Sequence, residues 1–121
     1  MNEPQLNSDR PVLLTAMRQF YDMTPYFRFH IEGWIRHDLG FETIMRDLWD
    51  SVGEPEGAAL YGWLANFNQL TADERKRFNR FALNAGSALG VAEYLDKRRP
   101  SFDGLLANFL AEIDSGAAVP A

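Results

Sequence analysis

The chain has 121 residues, 46% of them hydrophobic and 24% charged, with 9 Phe, 4 Tyr and 3 Trp, which suits one globular domain and leaves no room for a second. A chain of this length hides roughly two-thirds of its unfolded surface on folding, and without cysteine it has no disulfides, thiolate nucleophiles or thiolate metal sites, which suits a reducing, cytoplasmic setting. The net charge of -5 disfavours nonspecific binding to phosphate backbones, although residues 71–99 form a local island of 7 basic against 4 acidic residues.

Residues 1–8 are polar and aperiodic and read as a mobile arm; Glu3, Asp9 and the single basic residue Arg10 in the first ten, with no apolar stretch after them, argue against a secretory signal. No window approaches the ~18 uninterrupted apolar residues of a membrane span. Ser8 or Asp9 caps a first helix over about 10–23, with Pro11 in its first turn and Leu13, Met17, Phe20 and Tyr21 at helical spacing. Thr24-Pro25 starts a second over about 25–38, on which Phe27, Ile31, Trp34, Ile35 and Leu39 recur every three or four residues. Here the alternation of Phe27, Phe29 and Ile31 with Arg28, His30 and Glu32 fits a strand as well.

Gly40 reads as a left-handed stop to helix two. Helix three, about 41–52, carries the stripe Phe41, Ile44, Met45, Leu48, Trp49 and Val52. Gly53-Glu54-Pro55-Glu56 then breaks the pattern and starts helix four, about 55–69, with Leu60, Trp63, Leu64 and Phe67 on one side. Thr71-Ala72-Asp73-Glu74 is a capping box that opens helix five, whose apolar side runs through Phe78, Phe81, Ala82, Ala85, Leu89 and Ala92 as far as Lys97. Gly86 and Gly90 are its weak points, where the helix either breaks or continues. Ser101 caps helix six, about 102–114, and 115–121 reads as a disordered tail. A single domain over 9–114, built of five to six short amphipathic helices, is therefore an all-α, compact, bundle-like or orthogonal architecture.

Chemistry-bearing patterns are sparse. His30 and His37 lie on one side of a helix but two turns apart, about 10 Å, too far for one metal. Asp38 and Glu42 could join His37 or His30, and an enzyme, the third reading of the chain, would need one of these histidines. The pairs Asp47/Asp50 and Glu54/Glu56 sit where solvent-facing or helix-starting acids belong, and no serine elbow or phosphate-binding glycine loop is present. No catalytic residue, metal or cofactor is assigned. The second reading is a nucleic-acid binder using the basic segment 75–80, opposed by the net charge.

Two features point to protein partners. Ala82, Gly86 and Gly90 recur every four residues beside Leu89, a stripe that lets another helix approach closely, either from the same chain or from a second copy in a homodimer. The aromatics also exceed what a small interior is expected to absorb. The first reading is thus a small regulatory binding module, such as an inhibitor, antiactivator or adaptor, whose partner is another protein such as a transcriptional regulator or a toxin-like target. Its expected anchors are Tyr26, Phe29, Trp34, Tyr61 and Trp63, with Arg28 and Arg36 as rim charges.

Overall fold

A computed structural model of the protein describes residues 11–53 and 57–116, with side chains to residue 111. The described residues form six helices and no strand: α1 (Pro11–Asp22), α2 (Pro25–Arg36), α3 (Phe41–Ser51), α4 (Ala58–Phe67), α5 (Ala72–Tyr94) and α6 (Phe102–Gly116). The all-α, bundle-like architecture is as expected. The caps proposed at Ser8 and Asp9, the arm at 1–8, the acids Glu54 and Glu56 and residues 117–121 lie outside the described residues; Ser115 and Gly116, assigned to the tail, are still in α6.

Local chemistry explains most of the boundaries. The Thr24 hydroxyl accepts from the Phe27 amide at 3.4 Å, and Pro25 follows in the first turn, so the 25–31 segment is helix and not strand. At α5 both arms of the capping box form: the Glu74 amide donates to Thr71 Oγ1 at 3.1 Å, and the Thr71 amide donates to Glu74 Oε1 at 2.9 Å. The stop after α2 is not at Gly40, which is extended (φ -80°) and serves as the N-cap of α3. The left-handed residue is Asp38 (φ 52°), where the Leu39 amide reaches back to the Trp34 carbonyl at 3.1 Å and the Asp38 amide to Ile35 at 3.1 Å. Asp96 (φ 56°) closes α5 in the same way, with Lys97 donating to Ala92 at 2.7 Å. The helix therefore ends at Tyr94, short of Lys97.

Helix α5 runs unbroken through Gly86 and Gly90 and packs against α1, α2 and α6, while α1 also packs on α4. Glycine costs a helix interior about 1 kcal/mol, which burial of Phe78, Phe81, Ala82, Ala85 and Leu89 outweighs at roughly 1.5–3 kcal/mol for each large side chain. The core is strongly aromatic. Trp63 lies 4.7 Å from Phe67, 5.5 Å from Phe78 and 6.3 Å from Trp34, ring centre to ring centre, and Phe78 meets Phe20 edge-on at 6.0 Å. At the other end Phe81 meets Phe102 and Phe109 edge-on. The interior absorbs more rings than composition suggested.

Arg99 ties the α5–α6 connection to α1. Its Nη2 donates to the Tyr21 carbonyl at 2.6 Å, in the last turn of α1, and its guanidinium lies 4.4 Å from the Tyr21 ring centre. Tyr21 in turn donates its hydroxyl to the Pro100 carbonyl at 2.9 Å. The basic residues at 97–99 thus do not extend α5; one of them caps the end of another helix.

Candidate functional site

The expected anchors separate into two groups. Tyr26 (56% exposed) and Phe29 (58%) stand on the outer side of α2, as the sequence placed them. Trp34 (4%) and Trp63 (1%) are core residues and present no docking surface, because the helical period turns both toward the same aromatic cluster. Tyr61 is half-buried, with its hydroxyl enclosed and unpartnered. Sequence reasoning also passed over surface rings of equal weight: Phe41 and Trp49 (64%) on α3, and Tyr94 (88%) at the end of α5. The α3 stripe is wider than the face that packs, so Ile44 and Leu48 enter the core while Phe41 and Trp49 do not. Spacing alone lacks the signal that divides such a stripe.

The larger correction concerns Arg28, assigned to a polar rim. It is fully buried between α2 and α5, and its Nη2 donates to both carboxylate oxygens of Glu93, at 2.6 Å to Oε1. Glu32, one turn along α2, is also buried. Burial raises its pKa above the ordinary 4.5, a push that nearby Glu93 reinforces and that Arg36 and Arg28 oppose. Arg36 does remain at the surface, with Nη2 3.7 Å from Glu32 Oε1. Room for the Glu32 carboxylate comes from Gly86: a Cβ there would lie 2.8 Å from Glu32 Cδ. Ala82, Gly86 and Leu89 of the small-residue stripe are thus occupied within the chain, whereas nothing lies within 4 Å of where a Gly90 Cβ would stand.

Both histidines line one groove of about 310 Å³ between α2 and α3, together with Phe29, Thr43 and Asp47. The acid that the fold brings to them is Asp47, not Asp38 or Glu42. It accepts from Trp34 Nε1 and from Ser51 Oγ at 3.0 Å and lies 4.0 Å from His30 Nδ1, so its first task is to hold α3 on α2. Among the described residues no three acids or histidines gather to hold a metal ion.

The basic segment splits over two sides of α5. Arg77 pairs with Asp73 at 3.3 Å, while Arg75 lies over the Phe67 ring at 4.9 Å. With Lys76 and Asn79, Arg75 borders a second cavity of about 320 Å³, walled by Trp34, Trp63, Phe67 and Leu70. Among the described residues no helix is long and apolar enough to cross a membrane. No protein family, characterised protein or solved structure matches the chain.

Proposed function

We propose that this chain is a small regulatory protein-binding module, an inhibitor, antiactivator or adaptor, that docks the outer aromatic side of α2 on another protein. The observation that carries this reading is the pair Tyr26 and Phe29, both more than half exposed on a helix that Arg28 and Glu93 pin to α5. Large rings held on a rigid element bind at low entropic cost, which is why such residues dominate interface energetics. Arg36 supplies a flanking charge. A transcriptional regulator or a toxin-like target is the kind of partner proposed, in the cytoplasm, with which a cysteine-free chain is compatible.

The test places a photoreactive amino acid at position 29 in the native cell and identifies the cross-linked protein by mass spectrometry. That protein is then titrated against the purified chain and its Tyr26→Ala/Phe29→Ala variant. A loss of roughly tenfold or more in affinity, with unchanged far-ultraviolet circular dichroism, supports the reading. Equal affinity for both proteins overturns it. A sizing run on the purified chain separates this arrangement from a homodimer.

A further inference from the structure

The cavity bordered by α5 is built differently from the docking side of α2. Its walls are Trp34, Trp63, Phe67 and Leu70, and its polar margin is formed by Arg75, Lys76 and Asn79 against the single acid Asp38. A net positive margin is notable on a chain whose total charge is -5. Its volume of about 320 Å³ is at the lower end of ligand sites and holds about ten waters, or a solute of about ten to fifteen non-hydrogen atoms. Three of the residues around it carry a side-chain polar atom that has neither solvent nor a hydrogen-bond partner: Trp63 Nε1, Arg75 Nε and Asn79 Oδ1. Unpaired buried groups of this kind are uncommon in folded proteins and carry a desolvation cost. The three residues that carry them line one cavity: Trp63 Nε1 and Arg75 Nε are donors, Asn79 Oδ1 is an acceptor, and all three atoms are enclosed behind its surface.

We propose that this cavity binds a small monoanion with a flat or branched apolar body, an aromatic or short aliphatic carboxylate. Its apolar part lies against Ile35 and Leu39, which keep accessible surface in the lining, beside Phe67 and Leu70. Its carboxylate meets the guanidinium of Arg75 and the ammonium of Lys76, with Asn79 Nδ2, and not the acceptor Oδ1, as a further donor. Inorganic phosphate satisfies the charge but leaves the aromatic walls uncovered, and a neutral aromatic does the reverse; the site is matched to a solute that does both.

The experiment titrates the full chain with 2-naphthoate, with its neutral analogue 2-naphthamide and with inorganic phosphate, following the indole N–H resonances by NMR. The expected result is saturable movement of the Trp63 indole resonance with naphthoate, and binding about tenfold weaker for naphthamide and for phosphate. Lys76→Glu, at an exposed position, weakens naphthoate about tenfold and leaves naphthamide unchanged. Ala72→Leu, which narrows the cavity without altering charge, weakens both. Three outcomes overturn the proposal: no saturable shift, phosphate matching naphthoate, or naphthoate binding untouched by both substitutions.

Discussion

The Glu32 carboxylate on α2 fills the space that a side chain at position 86 of α5 would occupy. A glycine in mid-helix is here the condition for burying an acid between two helices, and that acid flanks the fully buried Arg28. Adding a methyl group to Gly86 sets two effects against each other. The helix gains about 1 kcal/mol of propensity, while the displaced carboxylate costs about 1–3 kcal/mol in a packed interface. Gly86→Ala is therefore expected to destabilise the protein, but to stabilise it in a Glu32→Ala background. Urea unfolding of the four proteins measures this cycle, and equal effects of Gly86→Ala in both backgrounds would rule out the steric relationship.

The same carboxylate sets a pH dependence. Because burial raises its folded-state pKa above 4.5, the folded protein retains a proton that the unfolded chain releases as pH rises through that interval. Stability from this group accordingly falls with rising pH, from 4.5 to the raised folded value, and is level above it. Glu32→Gln removes the titration. The unfolding free energy of the wild type minus that of the variant is expected to decline over this window; a difference that rises with pH would mean that the acid is stabilised as its anion.

Gly90 makes the opposite case, since nothing lies within 4 Å of its missing Cβ. Gly90→Ala should raise stability by about 1 kcal/mol through helix propensity and leave the sedimentation behaviour unchanged. Destabilisation that grows with protein concentration would show instead that a second copy packs on this stripe.

Two helices end on aspartates in the left-handed region, Asp38 (φ 52°) and Asp96 (φ 56°). Glycine adopts this conformation without the steric cost of a Cβ, so Asp38→Gly and Asp96→Gly should each stabilise the fold by about 0.5–1 kcal/mol, read as a shift in denaturation midpoint. Loss of stability at either site would show that the aspartate side chain itself contributes to the cap.

The division between core and surface rings predicts a sharp contrast. Trp63→Ala, at the centre of the aromatic cluster, should cost about 3–5 kcal/mol, whereas Phe29→Ala should fall within about 0.5 kcal/mol of the wild type. Thermal unfolding of the two variants distinguishes them directly.

Helix number, order and most boundaries were legible in the residues alone. Thr24-Pro25 and the Thr71–Glu74 box are local chemistry that operates within one turn, and the Leu60, Trp63, Leu64 and Phe67 stripe points to a core whatever it packs against. The contents of each face were not legible. Arg28 and Glu32 are charged, and nothing in their spacing announces burial; Glu93, 65 positions away from Arg28, and the vacancy at Gly86 make it possible. The α3 stripe likewise holds more apolar residues than its neighbours can cover, so the packing partners, and not the pattern, chose Ile44 and Leu48 over Phe41 and Trp49. Local hydrogen bonding and periodicity depend on residues a few positions apart and are written in the sequence, whereas the pairing of a buried charge and the choice of which ring meets water depend on residues brought together only by the tertiary fold.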